Sequence, residues 1–246
     1  MRIPVTTLND GYDFPLLGLG TYKLTGDEVE PIVRTAIELG YRHIDTAAFY
    51  GNEVEVGKAI NAAIKAGDVT REELFVTTKL WNDDQERVAE AYQESLERLD
   101  LEFIDLYLVH WPWPQHGTYV KAFEQIAELQ GVGRLQSVGV ANFYPEVLDE
   151  IIQATGISPV LNQVELHAGF TQPELRAYHD EHDIVTEAWA PLARGSNFDD
   201  PAIQAVAEKH GASPAQVSLA YLMQLGCSVV PKTSNPKRLE ENLGAV

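Results

Sequence analysis

The chain has 246 residues, 45% of them hydrophobic and 9% aromatic, which is enough to fill one large core and excludes a disordered or fibrous protein. Eighteen Lys and Arg against 37 Asp and Glu give a net charge of -19, a surface that repels phosphate backbones and anionic lipid. A lone cysteine, Cys227, excludes an internal disulfide framework and a zinc site built from several thiolates.

The first predicted element is a short strand-like stretch at 3–8. Apolar runs of strand type follow at 16–20, 42–46, 74–80, 103–110, 135–141, 160–165, 184–188 and 227–231. They alternate with helical spacing near 27–39, 53–65, 84–98, 119–129, 145–154, 172–181, 200–210 with 214–224, and 235–243. Helix starts are signalled by Asp27, by Asn52 with Glu53 and Glu55, by Asp83, by Ser213-Pro214 and by Asn235-Pro236. A near-continuous apolar run such as 104–109 predicts a parallel strand covered on both faces. Eight strand–helix units predict an α/β fold, a (β/α)8 TIM barrel with a short N-terminal β segment, as one domain over 1–246. An open doubly wound sheet is the rival. Gly18-Leu19-Gly20 continues as Thr21-Tyr22-Lys23, and Gly131 with Gly133 fails in the same way, so the dinucleotide fingerprint of that fold is absent.

No apolar run reaches the roughly 18 to 20 residues of a membrane span, and no signal peptide follows Met1, which predicts a soluble cytoplasmic protein with no membrane or nucleic-acid partner. Acidic residues are spread along the whole chain, which predicts adaptation to high salt. Cys227 reads as a small buried hydrophobe.

In such a barrel the C-terminal strand ends carry the chemistry. Asp45, Lys79, His110, Asn142, Gln163 and Glu165 fall at those ends, and Tyr50 lies in the loop after Asp45. A charge inside an apolar run is costly unless paired, so Asp45 and Lys79 are expected to form a buried ion pair between neighbouring strands. The ammonium is expected to lower the pKa of Tyr50 by a unit or two from about 10, with His110 hydrogen-bonding a substrate oxygen beside it. Tyr22, Phe49, Trp81 and Trp111 predict an aromatic wall at the mouth, suited to a small carbonyl compound. Lys232, Lys237 and Arg238 flank Ser234-Asn235-Pro236, a strand end feeding a helix start, and predict an anion site. His43 and His167 lack any HxH or HExxH spacing, so no metal is expected, and His116, His179, His182 and His210 are expected in solvated positions.

The runs Gly18-Leu19-Gly20-Thr21, His43-Ile44-Asp45-Thr46-Ala47 with Tyr50-Gly51-Asn52-Glu53, Thr78-Lys79-Leu80-Trp81, Asp105 to Pro112 and Pro231-Lys232-Thr233-Ser234-Asn235-Pro236 resemble an aldo-keto reductase. The likeness is greatest to the prokaryotic branch that includes the 2,5-diketo-D-gluconate reductases. It implies a monomeric, NAD(P)H-dependent reductase of aldehydes or ketones, with Asp45, Tyr50, Lys79 and His110 as a catalytic tetrad and Tyr50 as general acid. It places the nicotinamide near Asn142 and Gln163 with Trp189 stacked on the ring, and puts Leu192 and Arg194 along the pyrophosphate, with Thr21 also on the cofactor side. The 2'-phosphate of NADPH falls to Lys232, Thr233, Ser234 and Arg238, and the adenine to Glu241 and Asn242, so NADPH is expected over NADH. Ala141-Asn142-Phe143 replaces the usual Ser-Asn-Phe and forgoes one hydroxyl contact. Family members usually continue beyond the eighth helix with a further helix and loop that residues 1–246 do not include. Two other activities remain open on the sequence: a nucleotide-sensing module with vestigial turnover, and a lyase in which Lys79 forms a Schiff base.

Overall fold

The computed structural model describes residues 2–246 apart from Val132 and Arg134. The predicted opening strand is β1 (Val5–Thr7), and it forms an antiparallel hairpin with β2 (Asp13–Pro15), a strand of three residues too short to leave a period in the sequence. Phe14 from this hairpin packs edge-on against Phe75 at 4.9 Å between ring centres and belongs to an apolar cluster with Leu8, Leu106, Leu108 and Leu161.

Eight parallel strands then pair in chain order: β3 (Leu19–Gly20), β4 (His43–Asp45), β5 (Phe75–Leu80), β6 (Ile104–Val109), β7 (Leu135–Ala141), β8 (Leu161–Glu165), β9 (Val185–Trp189) and β10 (Ser228–Val229). The sheet closes on itself. Leu17 bridges Val229 and Gly20 bridges Lys232, and Gly18 N and Val229 N donate at 2.9 Å across the seam to the carbonyls of Val229 and Leu16. All six residues of β5 and of β6 are buried, as strands covered by helices must be.

Around the sheet lie α1 (Val29–Leu39), α2 (Glu53–Ala66), α3 (Val88–Leu99), α4 (Tyr119–Gln130), α5 (Pro145–Thr155), α6 (Pro173–Glu181), α7 (Pro201–His210), α8 (Pro214–Gln224) and α9 (Pro236–Leu243). Ser213 and Asn235 cap α8 and α9 as predicted, accepting from Gln216 N at 3.2 Å and Lys237 N at 3.0 Å. Two predicted starts differ, while α2 begins at Glu53 as predicted. Asp27 lies in a 3-10 turn opened by a capping box between Thr25 and Glu28, and α1 begins after it. Asp83 lies in a second 3-10 turn, Asn82–Asp84, so α3 begins at Val88. Asn52 precedes α2 without capping it, because its amide is used elsewhere.

His179 is not solvated. It is buried on α6, with Nδ1 2.8 Å from Thr186 Oγ1 and Nε2 3.0 Å from Asn162 Nδ2, and burial lowers its pKa to about 4, so it is a neutral strut between helix and sheet. Cys227 is buried with its thiol pushed up to about 11, mainly by desolvation. Among the described residues, no helix is long and apolar enough to cross a membrane.

Candidate active site

β4 and β5 are neighbours, and their C-terminal ends bring Asp45 and Lys79 together. Lys79 Nζ donates at 2.8 Å to both carboxylate oxygens of Asp45 and to the Thr46 carbonyl, and stands 3.3 Å from the Tyr50 hydroxyl. Burial opposes a charge on Lys79. Asp45, then Tyr50, outweighs it and holds the ammonium above its ordinary pKa.

Tyr50 does not shift as the sequence suggests. Desolvation raises its pKa, Lys79 works the other way with less effect, and Asp45 adds to the rise. The expected acidification leaves out the desolvation of the half-buried phenol. His110 follows β6 and is buried beside the same ammonium, which together with desolvation holds its pKa down at about 2, so the imidazole is neutral. Its ring centre lies 5.8 Å from that of Tyr50. His110 Nδ1 is buried without a hydrogen-bond partner among the described residues.

Asn52 positions the tyrosine, a role its helix-start pattern concealed. Its Oδ1 accepts from Thr46 Oγ1 at 2.8 Å, while Nδ2 donates to the carbonyls of Thr21 at 2.9 Å and Leu24 at 3.0 Å. The loops after β3 and β4 are thus tied together, and Tyr50 sits on the short 3-10 turn Ala48–Tyr50 between Thr46 and Asn52. Gly51 follows it in the left-handed region at φ 66°, which glycine adopts without strain.

The aromatic wall is partly assembled. Phe49 stacks on Trp81 at 3.8 Å, Trp81 meets His110 edge-on at 5.2 Å, and Tyr22 lies 5.1 Å from Tyr50. Trp111 is exposed and makes no ring contact with them among the described residues. Trp113, given no role by the sequence, lies against His116 with its ring tilted by 32°.

The amides expected near a nicotinamide are held in place. Asn142, at φ 62°, donates from Nδ2 to the His110 carbonyl at 3.0 Å and accepts from Trp189 Nε1 at 2.8 Å. That contact fixes the half-buried Trp189 at the rim. Gln163 Nε2 donates to Asp45 Oδ2 at 2.9 Å. Thr21 is buried, and its hydroxyl is spent on the Asp45 carbonyl at 2.9 Å. Leu192 is half-buried against the core, and Arg194 is exposed in a loop where Ala190, Ala193 and Arg194 all adopt positive φ, a concentration of strain typical of ligand-holding segments.

Lys232 lies beside Gly20 at the same rim, and Lys232, Lys237 and Arg238 are exposed with no ion-pair partner among the described residues. Thr233 is buried and accepts from Asn235 N at 3.0 Å, Ser234 is exposed, Asn242 is buried, and Glu241 is half-buried one turn along α9. These three cations without an ion-pair partner among the described residues concentrate positive charge at the start of α9 in an otherwise acidic chain.

The chain matches the aldo/keto reductase family over residues 16–246. It belongs to that family. Methylglyoxal reductase DkgA of Salmonella typhimurium is 47% identical over 240 residues, covering 97% of this chain and 86% of that protein. A crystal structure of an aldo/keto reductase from Brucella melitensis superposes with a TM-score of 0.93 at 43% identity, covering 98% of this chain and 93% of that one. A point mutant of Gox0644 in complex with NADPH gives a TM-score of 0.94 at 43% identity, covering 100% of this chain and 88% of that one.

Proposed function

We propose that this aldo-keto reductase reduces small aldehydes and ketones to alcohols with NADPH, using Asp45, Tyr50, Lys79 and His110. The observation that carries the reading is the Lys79 ammonium, held by Asp45 and reaching the Tyr50 hydroxyl at 3.3 Å beside a neutral His110. The remaining residues suit the cofactor. The Gln163 oxygen accepts from no group among the described residues, the Trp189 ring lies half-buried at the rim, and the unpaired Lys232, Lys237 and Arg238 suit a phosphate. Gln163, Asn142 and Trp189 would hold the nicotinamide, Leu192 and Arg194 the pyrophosphate, Lys232, Thr233, Ser234 and Arg238 the 2'-phosphate, and Glu241 and Asn242 the adenine.

When bound, the cofactor supplies a hydride to the carbonyl carbon. Tyr50 donates its hydroxyl proton to the carbonyl oxygen as negative charge grows there, and is reprotonated from solvent afterwards. An alkoxide is a stronger base than a phenolate, so the transfer runs downhill even from a phenol of raised pKa. Lys79 stabilises the phenolate left behind, and His110 Nε2 holds the carbonyl oxygen by a hydrogen bond. The stacked rings of Phe49 and Trp81 would give the substrate one apolar side. A Schiff-base lyase needs a neutral amine, which three acceptors at 2.8 Å deny to Lys79.

The methylglyoxal reductases among the relatives support a small α-oxo aldehyde as one substrate. We further take the protein to be a cytoplasmic monomer, adapted to salt, that prefers NADPH to NADH. The test follows loss of NADPH absorbance with a panel of aldehydes, ketoses and diketones. Tyr50→Phe is expected to lose at least about 10²-fold in kcat, and a variant as active as wild type overturns the assignment.

A further inference from the structure

Glu187 on β9 has no exposed surface, and the chemistry above does not use it. Its Oε2 receives Gln163 Nε2 at 2.7 Å, and the same nitrogen donates at 2.9 Å to Asp45 Oδ2. The amide thus spends both hydrogens on carboxyl groups from two strands.

The other oxygen shows which form Glu187 takes. Its Oε1 lies 3.2 Å from Ser228 Oγ and 3.5 Å from His43 Nδ1. Ser228 owns one hydroxyl proton, and the Pro15 carbonyl, which only accepts, stands 3.0 Å from it. The shorter contact is the one to Pro15, and with the hydroxyl proton there a proton on Glu187 Oε1 satisfies the contact to Ser228. His43 stands beside the same oxygen without a hydrogen bond to it: its Nε2 is 3.1 Å from Thr77 Oγ1, and its buried Nδ1 has no hydrogen-bond partner among the described residues. The charged and titratable groups facing Glu187 are His43 and Asp45 from β4 and Lys79 from β5, whereas β8 and β10 contribute the non-titrating Gln163 and Ser228. Desolvation, then Asp45, pushes Glu187 up to about 8, and His43 is held down at about 3 by burial and by Lys79, so both are neutral at physiological pH. Ligand atoms of His43, Asp45 and Glu187 lie within 4.8 Å of one another, but both Asp45 oxygens already hold the Lys79 ammonium, so a proton and not a cation belongs there.

We propose that Glu187 is a positioning residue for the cofactor: its carboxyl, with Asp45, clamps the Gln163 amide so that the Gln163 oxygen is left as an acceptor for the carboxamide N–H of NADPH. The proposal rests on the cofactor reading given above. Glutamine at 187 reproduces both contacts, an oxygen toward Gln163 and an N–H toward Ser228, whereas leucine removes the acceptor.

The experiment measures NADPH binding by quenching of tryptophan fluorescence, and thermal melting without cofactor, for wild type, Glu187→Gln and Glu187→Leu. Glu187→Gln is expected to bind within about twofold of wild type, and Glu187→Leu about 3- to 10-fold more weakly, the loss set by one misdirected hydrogen bond, with the carbonyl KM at saturating NADPH unchanged. A raised folded-state pKa means stability that is full below the ordinary carboxyl range and lost as pH climbs through about 8. The melting temperature of Glu187→Gln relative to wild type should therefore rise between pH 5 and pH 8, which reads the protonated form of Glu187, while the split between weaker NADPH binding and an unchanged carbonyl KM reads its positioning role. Leucine binding as tightly as wild type overturns the clamp, and so does glutamine binding as weakly as leucine. A melting difference that ignores pH shows an ionised Glu187 and overturns the proton assigned to Oε1; should Glu187→Leu not fold, Glu187→Gln binding NADPH more than about tenfold more weakly than wild type overturns the clamp. Wild type that fails to bind NADPH overturns the cofactor reading itself, an outcome distinct from all of these.

Discussion

Lys79 is an ammonium with no exposed surface, and its three acceptors at 2.8 Å are what make that tolerable. Asp45→Asn removes the counter-charge while preserving shape, and urea unfolding is expected to show a loss of about 3 to 5 kcal/mol, the cost of an uncompensated buried charge. Adding Lys79→Met should recover most of that stability while reductase activity stays absent, which separates folding from chemistry. Tyr50 sets the pH dependence. The protonated phenol is the competent acid, and burial raises its pKa, so the reducing plateau extends upward. At saturating NADPH, single-turnover reduction is expected to stay level from pH 6 to 9 and to fall only beyond the ordinary tyrosine value of about 10. A decline centred near pH 8 would show the lysine winning over desolvation. These side chains were legible in the sequence as charges and an imidazole embedded in apolar runs. The direction of the Tyr50 shift was not, because desolvation depends on which loops dry the phenol, and residue spacing carries no record of that.

The elements carry their own lesson. Strand and helix alternation was legible because burial on both faces and 3.6-residue periodicity leave their mark on composition, and each predicted run overlaps an observed strand, with the largest offset at 16–20, where β3 is only Leu19–Gly20. Short pieces held by tertiary contacts left no such mark: the hairpin strand β2, the 3-10 turn that displaces the start of α3, and Glu187 inside an otherwise ordinary strand. Asn52 marks the start of α2 as its sequence pattern suggests, but the side chain's second use as a loop bracket leaves no mark in the sequence. Asn52→Ala would strip partners from Thr46 Oγ1 and from the Thr21 and Leu24 carbonyls, all inside the protein. The expected cost is about 2 to 4 kcal/mol at one to a few kcal/mol for unsatisfied buried groups. Because the bracket locates the turn bearing Tyr50, kcat should fall about tenfold or more while NADPH affinity is retained, as a misplaced catalytic group implies. Chemical denaturation and steady-state kinetics on the same variant check both halves; a destabilised variant with unchanged kcat would leave Asn52 a purely structural residue.

At the scale of the whole molecule, charge acts on folding and on binding in opposite senses. Apart from histidine contacts, the ion pairs among the described residues rest on Arg34, Arg71, Lys79, Arg87 and Arg98, which leaves most of the 37 acidic side chains facing one another across solvent. That repulsion reaches about 30 Å at 0.01 M salt and only about 3 Å at 1 M, so the melting temperature is expected to rise by several degrees over that range of KCl. The cluster of Lys232, Lys237 and Arg238 responds in reverse. These cations are exposed and attract phosphates partly through the same long-range field, so added salt should weaken NADPH binding as it steadies the fold. Activity at a fixed, subsaturating NADPH concentration should therefore pass through a maximum at intermediate KCl, whereas at saturating NADPH it should climb to a plateau. Arg238→Ala should flatten the falling limb and leave the melting curve against salt unaltered. A melting temperature that does not change between 0.01 and 1 M KCl would show that acid repulsion does not limit this fold.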